Sequence, residues 1–176
     1  MTSIKKKAAL IPTHRAMAPR RAVVSLELLV VMPIGLILLL SIALMGSLLS
    51  HSNRVLQAAD VGAQRASIAP RAVALVLIPD VVSAVDQHLA AAGISTDSSN
   101  RQVIVEERVQ SSTVASSGVN LYSPSDTLNI PTNSVRVTVA IKATALTSDL
   151  LANYGFSIAN GYAFHRVLRL HNGPTL

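Results

Sequence analysis

Cysteine and tryptophan are both absent from the 176 residues. Without cysteine there is no disulfide framework, no thiolate metal site and no cysteine nucleophile. Aromatic side chains are scarce as well, three tyrosines and two phenylalanines, too few for the repeated rings on which single-stranded nucleic acid stacks. Charge is equally thin. Only 14% of residues are Asp, Glu, Lys or Arg, against roughly a quarter in an ordinary soluble domain. Half of the chain is apolar, which excludes intrinsic disorder and points to a membrane segment. The charge that exists is unevenly placed. Lys5, Lys6, Lys7, Arg15, Arg20 and Arg21 supply six of the fifteen cations, and no acid precedes Glu27. The remaining nine cations are matched by nine acids, so the net charge of +6 belongs to a tail and not to a folded face. A tail of this kind can hold DNA phosphates, but the long apolar run directly after it favours a membrane over nucleic acid.

Leu28–Leu49 is a run of 22 residues without a charge. As a helix it spans about 33 Å, enough for the ~30 Å hydrocarbon core of a bilayer. A buried core helix is the bland alternative, though such helices rarely stay apolar for so long. Six cations precede the run and only Arg54 and Arg65 come closely after it, so the positive-inside rule keeps the tail in the cytoplasm and exports everything after Ser50. A cleaved signal peptide is a second alternative, with small residues at Gly46-Ser47 and Ala58-Ala59, but the apolar stretch exceeds the usual ~7–15 residues of such a segment. The expectation is a single-pass membrane protein with its bulk outside.

Glu27 breaks the pattern of a simple anchor. It stands directly against the apolar run, beyond the basic cluster, where a carboxylate is costly if drawn into the bilayer. It can lie at headgroup level beside Arg20 or Arg21, or it can await a cation from another subunit. The residues around it bear on that choice. The stretch Arg20-Arg21-Ala22-Val23-Val24-Ser25-Leu26-Glu27, followed by an apolar stretch to Pro33, resembles the start of TadE-like proteins, the minor pseudopilins of tight-adherence (Tad, Flp-type) pilus systems. Val55-Leu56-Gln57-Ala58-Ala59-Asp60-Val61-Gly62-Ala63 is similar to that family's Ala-rich segment beyond the membrane. The resemblance covers roughly residues 20–69. It implies cleavage by a prepilin peptidase between Ala22 and Val23, which makes Glu27 the fifth residue of the mature chain and its pairing group during assembly. The family usually has Gly where this chain has Ala22, and often an aromatic where it has Leu28. The partners implied are the membrane, other pilin or pseudopilin subunits, the pilus assembly platform and the prepilin peptidase. The location implied is the bacterial inner membrane, with the head exported and carried into a surface pilus.

Beyond the membrane the residues themselves favour a continued helix. Val55, Ala59, Gly62 and Ala66 recur at helical spacing on one face. Small residues there admit either a neighbouring subunit's helix or the chain's own core. Pro70 biases Ala69 away from helix and ends the stem. Within the apolar run, Pro33 removes a backbone hydrogen bond and predicts a kink or weak point, with Gly35 nearby. The reading divides the chain into a basic cytoplasmic leader (1–22), a transmembrane helix and stem (23–69) and an exported α+β head (70–176).

In the head, Asp80 is expected to cap a helix through Val81, Val82, Val85, His88 and Leu89, stopped by Gly93. Gln102–Val109 alternates as a strand. Ser111–Ser134 reads as a long surface loop. Val135–Leu146 is the clearest strand, with Val135, Val137, Val139 and Ile141 on one face and Arg136, Thr138, Ala140 and Lys142 on the other. Ser148-Asp149 is expected to cap a short helical turn ended by Gly155. Asn160-Gly161 is expected to join Tyr154–Ile158 to Tyr162–Leu170 as a hairpin. The fold class expected is α+β, a long N-terminal helix followed by an antiparallel sheet packed on a helix.

Signs of chemistry are few. His14, His51, His88, His165 and His171 are scattered without metal-ligand spacing. No nucleophile elbow, phosphate loop or calcium loop occurs, and no serine has a local base. Tyr154, Phe156, Tyr162 and Phe164 cluster in sequence, as sheet packing or as an exposed adhesive patch. Two function classes remain, both without enzymatic activity, cofactor, metal or small-molecule substrate. One is a pseudopilin that primes, assembles or decorates a filament used in adhesion or secretion. The other is a permanently anchored envelope protein whose exported head binds a protein partner.

Overall fold

A computed structural model of the chain describes residues 18–70, 74–109, 111–123 and 129–172, with side chains from Glu27 onward. The chain divides into two compact units, Met1–Leu39 and Leu40–Leu176. In the first unit the described residues are helical from Ala18, and the apolar side chains from Leu28 to Leu39 are almost all exposed. The second unit is an α+β fold.

The helices are α1 (Ala18–Ile68), α2 (Ala74–Ala91) and a single turn, α3 (Ala143–Leu146). The strands are β1 (Arg101–Arg108), β2 (Ser112–Gly118), β3 (Ser134–Lys142) and β4 (Tyr162–Leu170). They form one antiparallel sheet in the order β2-β1-β3-β4. Register places Val103 opposite Val139, and Val105 opposite Val137, which in turn faces Val167. Paired residues share a face, so these valines, with Val135 and Ile141, form a β-branched surface against the helices.

The helices answer with complementary stripes. On α2, Ala74, Leu77, Val81, Val85 and Leu89 are buried at steps of three and four. By length and composition α2 is also apolar enough to cross a membrane, but its apolar face is spent on the sheet. On α1 the buried face is mostly small: Val55, Ala58, Ala59, Gly62, Ala63 and Ala66. A Cβ on Gly62 would lie 2.8 Å from Val85 Cγ2 and 3.3 Å from both Val81 Cγ1 and Val137 Cγ1. The absence of that one carbon lets α1 approach α2 and β3 together. Helix α2 ends where Gly93 adopts φ +73°. There Ile94 N–H donates to the Leu89 carbonyl and Gly93 N–H to that of Ala90, with Leu89 and Ile94 both buried. That is the pattern of a Schellman stop, which satisfies carbonyls that the helix end leaves open.

Four expectations are corrected. The second helix begins at Ala74 and not at Asp80, and it runs through Pro79. Its early start is secured from outside the local sequence, because Ala74 N–H donates to Thr113 Oγ1 of β2, while Ala74 and Leu77 extend the buried stripe. Ser111–Ser134 is not one surface loop. Its first part is β2, and Ile130, from its later part, is buried. The third strand stops at Lys142, and Ala143–Leu146 turns helical. No hairpin forms at Asn160-Gly161. Among the described residues Tyr154–Ile158 contains no strand, and β4 pairs with β3 instead. The short turn ended by Gly155 does occur, at Ala152–Tyr154, but Asp149 serves it differently. Its carboxylate accepts hydrogen bonds from Ser157 Oγ and from the Ile158 N–H.

The sheet is buried on both faces at its centre. Arg136, Thr138 and Ala140, which alternate with the valines as a solvent face would, are covered. Arg136 lies opposite Glu106 in the register and donates Nε and Nη2 to its two carboxylate oxygens at 2.6 and 2.7 Å. Arg108 Nη1 donates to the Ile130 carbonyl at 2.8 Å, tying the covering segment to the same face.

These contacts set two expected outcomes, read by urea melts of the detergent-solubilised full chain. Gly62→Leu overpacks the three-valine contact and should lower stability by at least about 1–3 kcal/mol, with Val85→Ala recovering part of the loss. Arg136→Met alone strands the buried Glu106 charge, at a cost of about 3–5 kcal/mol, whereas Arg136→Met with Glu106→Leu should restore most of it.

Candidate functional site

The residues singled out by sequence fall into two places. Ala22 and Val23 belong to the helical backbone near the start of α1, and their side chains lie outside the described residues, as do those of Arg20 and Arg21. Glu27 is exposed. Ahead of it Leu28, Leu29, Val30, Val31, Met32, Ile34, Leu36, Leu38 and Leu39 are all exposed large hydrophobics, and no charge occurs again until Arg54. Pro33 lies inside the helix, which continues on both sides of it. Because proline has no N–H, the carbonyl one turn earlier, at Leu29, loses its helical donor. Among the described residues this part of α1 is apolar and exposed, and by length and composition it is apolar enough to cross a membrane.

Val55, Ala59, Gly62 and Ala66 are brought together, but inside the fold. All four are buried against α2 and the sheet. Of the two uses that the sequence allowed for this stripe, the structure displays the intramolecular one.

A third set was not visible in the sequence. Helix α1 and strand β4 run side by side, and polar contacts pin them at intervals. Ser47 Oγ donates to Thr147 Oγ1 at 3.3 Å, in the segment that joins β3 to β4. Ser52 Oγ and His165 Nε2 are 2.7 Å apart. Arg169 Nη2 lies 2.6 Å from Asp60 Oδ1, and Asn172 N–H donates to the Ser67 carbonyl. The signal in the sequence was faint: Ser52, Asp60 and Ser67 flank the small-residue stripe at near-helical steps, and His165 and Arg169 alternate inward along β4.

Ser52 and His165 have the separation of a nucleophile and its base, but the remaining parts of a catalytic centre are lacking among the described residues. No carboxylate hydrogen-bonds the imidazole to orient it. Ser52 lies mid-helix, where backbone N–H groups are consumed by the helical ladder and cannot serve an oxyanion. Burial, the larger influence, holds His165 below its ordinary value of 6.5, and a hydrogen bond to Ser52 works the other way. The pair is a polar lock between helix and strand. No three His, Asp or Glu among the described residues converge as a metal group would.

A second lock sits at the opposite end of the sheet, where His171 Nε2 meets Glu107 Oε1 at 3.0 Å, both side chains buried. Desolvation is the dominant influence on Glu107 and raises its carboxyl above the ordinary 4.5, against the opposing pull of His171. The folded chain therefore keeps this proton to higher pH than the unfolded chain does, and stability falls as pH rises from 4.5 through the raised value. Glu107→Gln retains an acceptor for His171 and removes the titration. Urea melts from pH 4 to 8 should show a decline in the parent chain that the variant lacks, and identical slopes would exclude this origin. Compared with known protein families, with curated proteins and with solved structures, the chain matches none.

Proposed function

We propose that the chain is a single-pass membrane protein of the TadE-like minor pseudopilin kind, with its basic leader in the cytoplasm of a bacterium and its α+β head exported. The observation that carries this reading is the exposed apolar length of α1 headed by Glu27. The antiparallel sheet packed on helices supports it, being an arrangement common in pilin-like heads. The pilus assignment itself rests on the residues from Arg20 to Pro33 and from Val55 to Ala63, which resemble that family.

The proposed work is polymer insertion and not catalysis. Cleavage between Ala22 and Val23 places an α-amino group near the membrane edge. A neighbouring subunit's Glu27 meets that cation in an apolar setting, where opposite charges attract far more strongly than in water. The pair offsets the desolvation of both groups and exists only between correctly staggered subunits, so it selects register. Partners are the membrane, the other pilin or pseudopilin subunits, the assembly platform and the processing peptidase.

Mass spectrometry of the mature protein tests the reading directly. An N-terminus at Val23 is expected. An intact or merely Met-trimmed leader would leave a permanently anchored envelope protein with a partner-binding head, a reading favoured by Ala22 in place of the family's glycine. Glu27→Leu should leave membrane fractionation and head folding intact while cross-linking to pilus components falls to background. Normal cross-linking of that variant would remove Glu27 from the assembly contact.

A further inference from the structure

The chain's few rings are gathered at one end of the head. Strand β4 runs in the same direction as α1, with His165 meeting Ser52, then Arg169 meeting Asp60, then Asn172 meeting Ser67, while Thr147 of the preceding segment meets Ser47. The end of the sheet where β3 finishes at Lys142 and β4 begins at Tyr162 is therefore level with the last residues of the uncharged run, which closes at Leu49. At this level α1 turns Leu44 inward, 9% exposed, and keeps Ile42, Met45 and Leu49 on its open side.

Residues 143–161, which bridge β3 and β4 at this end, carry one charge, Asp149. That carboxylate is occupied within the loop by Ser157 and Ile158. The same segment exposes Leu150, Tyr154 and Phe156, the last to 62%. Tyr162 and Phe164 come next on β4, 6.1 Å apart between ring centres, and Tyr122 stacks on Phe164 at 4.9 Å. These are all five aromatic residues of the chain. Exposed rings on a charge-poor loop are unfavourable in water, whereas rings with an apolar body settle at the headgroup level of a bilayer.

Resting on the single-pass reading above, we propose that the 148–158 loop is a second membrane contact. Leu150, Tyr154 and Phe156 enter the headgroup–acyl boundary of the leaflet from which α1 emerges, and Tyr162 lies at the rim. The occupant is lipid, because the loop sets out from the Thr147–Ser47 contact, at the level on α1 where the exposed Met45 and Leu49 close the uncharged run. The α+β unit, already packed on α1, is then held to the bilayer at two points, by its helix and by this loop, and cannot tilt freely over the surface.

The absence of native tryptophan makes the test clean. The full chain is reconstituted in phosphatidylcholine vesicles, with or without acyl-chain-brominated lipid, as three single-tryptophan variants: Ile42→Trp in the run, Phe156→Trp in the loop and Leu170→Trp at the far end of β4. Ile42→Trp and Phe156→Trp should both be blue-shifted and quenched to less than half by the brominated lipid, with Leu170→Trp unaffected. Quenching of Ile42→Trp without Phe156→Trp would overturn the loop contact and leave the span standing. Equal quenching of Phe156→Trp and Leu170→Trp would also overturn it, since the contact would not be confined to the loop. Quenching of neither Ile42→Trp nor Phe156→Trp would overturn the single-pass reading itself.

Discussion

Three valine side chains close over one glycine of α1, and that close approach dictates how the helices meet the sheet. Val81 and Val85 come from α2 and Val137 from β3, each within 3.3 Å of where a Cβ on Gly62 would stand. β-branched side chains have few rotamers with which to retreat. The fit therefore depends on α1 being nearly bare along its inner face, and Ala58, Ala59, Ala63 and Ala66 extend that bareness on either side of Gly62. Large residues are supplied by the partner surfaces and small ones by α1, so the layers approach closely.

Charge is arranged around that apolar contact. On the helix side of the sheet, ion pairs mark its edges: Asp86 with Arg101 near α2, and Asp60 with Arg169 on β4. On the opposite side Glu106 and Arg136 face each other across β1 and β3 under cover. A buried ion pair contributes little net stability over an apolar pair of similar volume, because both groups are desolvated. It does penalise every register in which its members fail to meet. Slipping β1 on β3 by one residue would send every side chain of the moving strand to the other face and would separate the pair.

Much of the fold was legible because local signals agreed with the global arrangement. The end of the stem near Pro70, the Gly93 stop, the alternation at Val135–Ile141 and the Gly155 turn all rest on short-range chemistry. Failures occurred where distant residues decided. β2 is poor in β-branched residues and rich in serine, so nothing marked Ser112–Gly118 as a strand except its pairing with β1. Asn160-Gly161 carries a hairpin signal, but the strand that β4 needed was already present as β3. That Arg136, Thr138 and Ala140 are covered could not be read from the alternation of β3 alone, because what covers them lies elsewhere in the chain. Of the candidate site, Glu27 and the apolar run could be read directly. The lock between Ser52 and His165 could not, because its members lie 113 residues apart.

Helix α1 holds the small-residue half of the core, and β4, the last of the described strands, carries the groups that pin it. The pinning contacts join residues 113 and 109 positions apart. Doubling a loop of this length adds only about 0.6 kcal/mol of closure entropy, so the burden falls on time and not on stability. During synthesis α1 is made long before its partner strand. Until that strand arrives, the valine surface of β1 and β3 and the alanine face of α1 have no complete seat. The α+β unit therefore closes only once β4 has been made, so its earlier elements wait, unsealed, for the residues that complete their packing.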